Sequence, residues 1–217
     1  MFHAALAEDL EKPLLVLNIG GVANLTFLGA DGTVLACDTG PGNALLDDWA
    51  FRHTGTPCDT DGALATAGQP DQSVLSMLLA DPYFTRPAPK SLDRQAFSHA
   101  LAAIAPLCPA DGAATLAAFT AAASAALPLP APPRRVLVVG GGRQNPALMR
   151  ALRAAFSIPV QAAEAIGWDG DAIEAQCFAL LAVRVLRGLP LTFPGTTGAP
   201  APLPGGRIVP PPTGDAR

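Results

Sequence analysis

The chain has 217 residues, half of them apolar, which is enough to bury the core of one large domain or two small ones. Its net charge of −4, without a cluster of lysine and arginine, argues against nucleic acid as the main partner. No stretch approaches the ~18 consecutive apolar residues that a membrane span needs, and the first residues do not resemble a signal peptide.

The cysteines and histidines show no pattern typical of a metal site or a disulfide framework. No CxxC pair and no metal-ligand spacing occur among Cys37, Cys58, Cys108, Cys177, His3, His53 and His99. We therefore predict reduced, mostly buried thiols in a cytoplasmic protein.

Three strands are predicted at the start of the chain. An apolar run at residues 14–18 is typical of a buried strand, and alternation over residues 24–27 predicts a second strand. Asp31-Gly32 is a hairpin turn signal, after which residues 33–37 return as a third strand.

Helical signals follow this meander. Asn43 is a typical N-cap residue, and residues 45–50 give the next helix an apolar face. After a loop, a short helix is predicted at residues 74–79. Further helices are expected to start at Asp93 and Asp111.

The remaining elements alternate between strand and helix. Residues 136–139 are the clearest strand signal, and Asn145-Pro146 is typical of a helix start. Residues 159–162 predict a short parallel strand, and Asp171 is expected to cap a final helix.

This order predicts an α/β fold in which an antiparallel meander is followed by parallel strands with flanking helices. It is the order of a ribonuclease-H-like lobe, which we expect to span residues 1–198. The proline-rich residues 199–217 predict an extended tail.

A double-glycine turn, Gly20-Gly21, separates the first two predicted strands. Glycine has no Cβ, so backbone N–H groups at such a turn can surround a phosphate. An ordinary tight hairpin is the alternative. Asn18, Asn24 and Thr26 add hydrogen-bonding groups beside the turn, so a phosphate-binding turn is favoured.

A second turn, residues 38–43 (DTGPGN), ends a strand and opens a helix. Helix N-termini favour anions, and Asp38 could hold Mg²⁺ through water or accept a sugar hydroxyl. The alternative is a structural turn built on Gly40 and Gly42 and capped by Asn43. Since that turn does not require an aspartate, a functional role is favoured.

A glycine triplet, residues 140–142, lies at the carboxyl end of a predicted strand, where ligands bind in open α/β sheets. A dinucleotide-binding turn needs G-x-G-x-x-G, but Asn145 occupies the last position, and no P-loop motif occurs. An adenosine-binding triplet (Gly140, Gly141, Gly142) fits better. A dinucleotide-dependent oxidoreductase is the lesser alternative.

Charged residues near these turns allow two interpretations. Asp171 and Glu174 form a capping-box pattern, yet Glu174 could instead bind a sugar hydroxyl. Lys90 is most simply a solvated lysine, and Arg94 and Arg143 are candidates to balance phosphate charge.

Five ordered segments resemble the anhydro-N-acetylmuramic acid kinase family. They are residues 17–26 (LNIGGVANLT), 38–43 (DTGPGN), 89–94 (PKSLDR), 140–146 (GGGRQNP) and 169–175 (DGDAIEA). The ordered set is more specific than any single glycine turn, and the resemblance runs from about residue 13 to residue 198. The family belongs to the two-lobed actin-like (ASKHA) ATPases, which implies the fold predicted above.

The resemblance implies ATP and Mg²⁺ as cofactors and an amino sugar as substrate. The family phosphorylates 1,6-anhydro-N-acetylmuramic acid at O6 while water opens the anhydro ring, which yields N-acetylmuramic acid 6-phosphate in cell-wall recycling. It implies Gly20, Gly21 and Asn24 beside the β- and γ-phosphates, and the glycine triplet with Asn145 beside the adenosine. Asp38, the turn of residues 40–43 and Glu174 would lie nearer the sugar.

The departures from the family are large. Its members are longer, begin with a Gly-Thr-Ser-x-Asp-Gly loop and carry an Asp-Phe-Arg segment whose aspartate resembles the base that activates water; neither motif occurs here. We therefore expect a second lobe only: a carboxyl-terminal fragment, a mis-started gene product or a deliberately isolated domain, without a catalytic residue.

Such a lobe is expected to be inactive alone, to bind ATP weakly and to expose apolar surface. It would need the missing amino-terminal lobe or a second copy of itself as partner. The alternative is a noncatalytic nucleotide- or sugar-binding module of the same fold that acts with a partner subunit.

Overall fold

The computed structural model describes residues 1–210. Its strands are β1 (Leu14–Ile19), β2 (Val22–Leu28), β3 (Val34–Pro41), β4 (Val136–Val139) and β5 (Val160–Ala162). Its helices are α1 (Phe2–Leu6), α2 (Ala44–Thr54), α3 (Ala63–Thr66), α4 (Gln72–Leu79), α5 (His99–Ala103), α6 (Pro109–Ala125), α7 (Pro146–Ala155), α8 (Ile173–Leu186) and α9 (Pro194–Thr197). Single 3₁₀ turns occur at Thr60–Gly62, Pro82–Thr85, Gly141–Gln144 and Ala163–Ile166.

The strands form one mixed sheet in the order β3-β2-β1-β4-β5. β2 is antiparallel to both β1 and β3, whereas β1–β4 and β4–β5 are parallel. The predicted meander, the parallel strands and the ribonuclease-H-like order are therefore confirmed.

Both faces of the sheet are covered, which explains the unbroken apolar runs in β1 and β4. Leu15 and Leu17 belong to the larger core cluster, which α2, α6 and α7 complete. Leu14 and Val16 point to the opposite face, where residues of α1 and Ile173 cover them.

Several predicted helix starts need correction. The helix expected from Asp93 is confined to α5, because the Asp93 carboxylate accepts the Gln95 N–H in a turn. α6 begins at Pro109 rather than Asp111, with Cys108 as its N-cap. Asn43 occupies the N-cap position of α2, yet its side chain makes no capping hydrogen bond.

The carboxyl-terminal part packs less tightly than the rest. In α8 only Ile173 is buried, and Phe178 and Leu186 are 64% and 70% exposed. The predicted tail begins at residue 199; its last seven residues lie outside the described part of the chain. Within residues 1–210, no helix has the length and apolar character needed to cross a bilayer.

Candidate functional site

The two glycine motifs line one cleft of about 650 Å³. They meet because β1 and β4 are parallel neighbours, with Asn18 opposite Val139, so both strands deliver their following turns to the same sheet edge. The cleft is lined by Phe2, His3, Asn18, Gly20, Gly21, Val22, Asn24, Gly140, Gly141, Arg143, Gly170, Asp171, Ile173, Glu174, Cys177 and Phe178.

The double-glycine turn is held through its carbonyl groups. Gly20 O accepts the Asn43 N–H at 2.7 Å, and Gly21 O accepts the Gly42 N–H at 3.1 Å. Within residues 1–210, by contrast, the N–H groups of Gly20 and Gly21 donate to no protein acceptor. These two donors are therefore free at the wall of the cleft.

No protein atom of residues 1–210 requires glycine at either position. A Cβ would lie 3.8 Å from its nearest neighbour at Gly20 and 3.7 Å at Gly21, which are ordinary contacts. Neither residue has a positive φ. Both residues line the cleft, where a ligand that approaches the backbone closely would give a reason for glycine.

The three positions of the glycine triplet differ in whether the protein itself requires glycine there. Gly140 has φ +77°, and a Cβ there would lie 2.6 Å from Ile19 O. A Cβ at Gly142 would overlap the Ile19 side chain. Only Gly141 faces open space, with Asn43 Nδ2 3.8 Å away, and its N–H also donates to no acceptor in the described chain.

Arg143 is committed to the protein rather than free for phosphate. Its Nε and Nη2 lie 2.7 Å from Glu164 Oε1 and Asp171 Oδ1, and its Nη1 donates to Gly140 O at 3.0 Å. Burial lowers the pKa of Arg143, but the hydrogen bonds to Asp171 and Glu164 outweigh it and raise that pKa. Arg143 thus ties Asp171 and Glu164 to the glycine triplet.

Arg94 is the arginine near the first turn. It is exposed, and its Cδ lies 3.9 Å from the Cβ position at Gly21. Its Nη2 is 4.0 Å from Asp48 Oδ1, a loose ion pair. Lys90, expected to be solvated, is instead buried: its Nζ donates to Tyr83 O at 2.9 Å and lies 4.3 Å from the Tyr83 ring centroid.

Asn18 and Asn24 both line the cleft, as a phosphate site would require. Thr26 does not. It is buried beneath α1, where its Oγ1 lies 2.9 Å from His3 Nδ1. The structure therefore removes Thr26 from the predicted phosphate contacts.

The turn of residues 38–43 lies behind the cleft rather than in it. Asp38 Oδ2 accepts the Leu92 N–H at 2.7 Å, and burial raises the pKa of this half-buried carboxyl. Gly40 packs on α6, with its Cβ position 3.0 Å from Ala123 Cβ. A Cβ at Gly42 would overlap Gly20 O. The structure thus does not bring Asp38, Gly40 or Gly42 to the cleft.

A smaller cavity of about 190 Å³ adjoins the triplet through Gly141. Asn43 and Asn145 line it together with Asp47. The Asn145 side chain caps α7 by accepting the N–H groups of Ala147 and Leu148, which confirms the predicted helix start. Burial, and then the nearby Asp48, raise the pKa of Asp47 to about 6.

The predicted capping box at α8 is wrong. α8 begins at Ile173, and Asp171 is bound to Arg143 instead of the helix N–H groups. Asp169 accepts the Asp171 and Ala172 N–H groups. Glu174 is exposed and lines the cleft, which leaves its carboxylate available to a ligand.

Four lining residues carried no signal in the sequence: Phe2, His3, Cys177 and Phe178. Burial, and then the amino-terminal charge, lower the pKa of His3 to about 4, so its imidazole is neutral at physiological pH. Only the packing of α1 and α8 against the sheet edge brings these residues to the cleft.

Within residues 1–210, no group of three or more His, Cys, Asp and Glu side chains could hold a metal ion. Mg²⁺ commonly binds through one or two carboxylates, water and substrate phosphates. Glu174 is the free carboxylate in the cleft lining, so the residues present fit Mg²⁺ only as a companion of bound phosphates.

The sheet order defines a ribonuclease-H-like lobe, and its cleft presents free backbone N–H donors at the ends of adjacent strands. The model of the family described as anhydro-N-acetylmuramic acid kinase matches residues 1–211. The chain therefore belongs to the anhydro-N-acetylmuramic acid kinase family.

Curated relatives with that name agree. The one from Acidiphilium cryptum is 69% identical over 212 residues, which is 97% of this chain and 59% of the relative. The one from Rhodospirillum rubrum is 57% identical over 96% of this chain and 56% of the relative. The chain thus spans less than three fifths of the length of these relatives.

A solved structure of the activator of 2-hydroxyisocaproyl-CoA dehydratase from Clostridium difficile, with bound ADPNP, is similar with a TM-score of 0.49. It is 18% identical, and the match covers 76% of this chain and 58% of that one. A likeness at this level carries no argument about this chain.

Proposed function

We propose that this chain supplies the nucleotide-binding half of an ATP-dependent amino-sugar kinase. The kinase phosphorylates 1,6-anhydro-N-acetylmuramic acid at O6 while water opens the anhydro ring, and its product is N-acetylmuramic acid 6-phosphate. One observation carries the proposal: Gly20, Gly21 and Gly141 line one cleft, and within the described part of the chain their N–H groups have no acceptor and no packing contact requires glycine there.

Phosphate is the ligand chemistry that suits these groups. Hydrogen bonds from N–H groups to charged oxygens contribute about 1.5–3 kcal/mol each, roughly twice a neutral bond. Because both glycine turns line the same cleft, we expect one triphosphate to contact both. In this arrangement Gly20, Gly21 and Asn24 contact the β- and γ-phosphates, Asn18 supports them, and Arg94 balances charge in place of Arg143.

The other roles follow from position. Gly141 lies beside the adenosine, and the smaller cavity next to it, with Asn43 and Asn145, extends the space available there. Glu174 accepts a sugar hydroxyl or holds a water ligand of Mg²⁺. The Mg²⁺ ion, when bound, neutralises charge on the transferred phosphoryl group.

The chain alone is expected to bind ATP weakly and not to turn over. Phosphoryl transfer depends on positioning two substrates in line, and one lobe supplies only part of the contacts. The Asp-Phe-Arg segment that carries the family's base is absent from this sequence. We propose the cytoplasm as the compartment of the complete kinase.

The test of the site is calorimetric titration of the chain with Mg·ATP. We expect weak but saturable binding, which Gly141→Ala should weaken at least tenfold, because the new methyl group would lie beside Asn43, where the smaller cavity meets the cleft. Gly205→Ala is the matched control, since its Cβ would make an ordinary 3.6 Å contact with Leu191, and neither residue lines the cleft. Unchanged binding by Gly141→Ala would overturn the assignment.

A coupled assay with the anhydro sugar tests the limits of the isolated chain. We expect no phosphorylation above background at any ATP concentration. Turnover by the isolated chain, together with micromolar ATP binding, would refute the proposal that it holds only half of the active site.

The exposed apolar face of α8, defined by Phe178, Val183 and Leu186, supports a partner for this half. We propose that the region that the longer relatives have in addition covers this face in the complete kinase. Without it, a second copy of the chain is the expected occupant. Sedimentation velocity should show self-association that Leu186→Ser weakens, and a clean monomer at high concentration would contradict this.

A further inference from the structure

Three hydroxyl groups are buried behind the double-glycine turn. Thr39 in β3 is 1% exposed, and Thr120 and Ser124 in α6 are 3% and 1% exposed. Their neighbours in α6 are mostly alanine, so apolar side chains would suit the helix. Hydrogen bonds compensate the desolvation of buried polar groups. Here the bonds connect these hydroxyl groups to two segments that adjoin the double-glycine turn.

Thr120 is hydrogen-bonded to the Gly42–Asn43 peptide, which is itself hydrogen-bonded to the double-glycine turn. Its Oγ1 donates to Gly42 O at 3.1 Å, while the Gly42 N–H donates to Gly21 O at 3.1 Å. The Asn43 N–H, one residue on, donates to Gly20 O at 2.7 Å. Both turn carbonyls are thus connected to α6 through one short segment.

Thr39 and Ser124 fix the strand that leaves the turn. Ala23 pairs with Gly40 and Asn24 with Asp38, so Thr39 is the extra residue of a β-bulge. Thr39 Oγ1 donates to Ala23 O at 3.2 Å and lies 3.2 Å from Ser124 Oγ, which donates to Thr120 O at 2.8 Å. Bulges redirect nearby side chains, and Asn24, beside this one, lines the cleft.

Because the peptide bond is planar, the hydrogen bond to Gly20 O also determines where the Gly21 N–H points. In a trans peptide, the C=O of Gly20 and the N–H of Gly21 point in opposite directions. Because Gly20 O is directed at Asn43 behind the turn, the Gly21 N–H is directed away from it. Rotation of that N–H would break the bond to Asn43.

We propose that Thr39, Thr120 and Ser124 are positioning residues that aim the free amide of the double-glycine turn at a phosphate in the cleft. The inference rests on the proposed function. It assigns to the segment of residues 39–43 a task behind the turn rather than contact with the sugar.

The test compares two threonines of the same helix. Thr120→Val removes the hydroxyl that reaches Gly42 with little change of shape. Thr115→Val is the matched control: Thr115 is equally buried, and its Oγ1 donates to Asp111 O at 2.7 Å and accepts the Asp71 N–H at 2.9 Å, away from the cleft. Thr120→Ser restores the hydroxyl and serves as the rescue.

Two readouts separate positioning from stability. In Mg·ATP titrations under conditions where every variant is folded, we expect Thr120→Val to bind five- to tenfold more weakly, and Thr115→Val and Thr120→Ser to bind like the wild type. In the free chain, amide hydrogen exchange at Gly42 and Asn43 should be about tenfold faster in Thr120→Val than in Thr115→Val.

Each result decides a separate question. If the wild type does not bind ATP, the proposed function fails, and the exchange rates alone decide whether the hydroxyls anchor the turn. If Thr120→Val binds ATP like the wild type, or exchanges at the rate of Thr115→Val, the positioning role is overturned. Should Thr120→Val not fold, Ser124→Ala replaces it in both measurements with the same expected direction.

Discussion

The two glycine turns of the cleft are built in opposite ways. The double-glycine turn at residues 20–21 has room for side chains and is held from behind by neutral hydrogen bonds. The triplet at residues 140–142 has little room and is held by an ion-paired arginine, Arg143. Packing and backbone conformation therefore account for most of the glycine triplet, whereas for the double-glycine turn we propose a ligand as the reason for glycine.

This difference distinguishes glycines that packing and backbone conformation explain from glycines that we propose contact a ligand. Gly140 and Gly142 are explained by the protein itself, through a positive φ and through contact with Ile19. Gly20 and Gly21 are not explained by any protein atom of the described chain. Substitutions in and beside the two turns should therefore differ in their effect on the free energy of unfolding.

The largest effect is expected for Gly140→Ala. The residue has φ +77° and ψ 173°, a region that only glycine adopts readily, and the new Cβ would lie 2.6 Å from Ile19 O. Strain and overlap together should lower the free energy of unfolding by about 3 kcal/mol. Urea denaturation should show this loss, with Gly141→Ala within about 0.5 kcal/mol of the wild type as the neighbouring control.

Arg143→Met should have the next largest effect. It removes two charge-assisted hydrogen bonds and one carbonyl bond, while Glu164 and Asp171 remain partly hydrated, so we expect a loss of about 2 kcal/mol. Arg134→Met, which removes the exposed pair with Glu11, should cost under about 1 kcal/mol. Equal losses in the two variants would show that Arg143 does not brace the triplet.

Acid should destabilise the chain through His3, beside the strand that leaves the double-glycine turn. Burial and the amino-terminal charge lower the pKa of His3 from 6.5 to about 4, so the unfolded state gains a proton near pH 6.5 that the folded state does not accept. The contribution of the neutral imidazole to the free energy of unfolding is fully present above pH 6.5 and is lost as the pH falls. Between pH 7 and pH 5 the free energy of unfolding should therefore decrease by about 1–2 kcal/mol.

His3→Asn should abolish that component in urea denaturation at pH 7, 6 and 5. Asp47 acts in the opposite sense, because burial and Asp48 raise its pKa to about 6 and the folded state then gains the proton first. The difference between wild type and His3→Asn isolates the histidine. The same pH dependence in both proteins would contradict the role given to His3.

Local signals in the sequence were sufficient for the frame of the cleft. Apolar runs predict β1 and β4, and Asn145-Pro146 predicts the start of α7, because neighbours in sequence determine these features. That Gly20 and Gly141 share a cleft follows from parallel pairing of β1 and β4.

Contacts between residues far apart in the sequence determine which predicted side chains lie in the cleft, and local patterns could not predict these contacts. Arg143 is hydrogen-bonded to Asp171, 28 residues away, and Thr26 lies at hydrogen-bond distance from His3, 23 residues away. Neither side chain is therefore free for the phosphate contact that the local pattern predicts. Gly40 and Gly42 lie behind the cleft because α6 packs against them, and Asp38 lies there because it accepts the Leu92 N–H. The local pattern around these residues does not encode such neighbours.

The smallest effect on stability, and the sharpest test of the comparison, is expected for Gly20→Ala. The new methyl group finds its nearest neighbour at 3.8 Å and the backbone has no positive φ, so stability should stay within about 0.5 kcal/mol of the wild type or rise. Binding of Mg·ATP should nevertheless weaken at least tenfold, because the methyl group projects where a phosphate would contact the amides. Thermal denaturation and calorimetric titration of the same sample measure both quantities. A variant that binds ATP as the wild type does, or one that unfolds readily, would place Gly20 with the structural glycines and remove the distinction between the two turns.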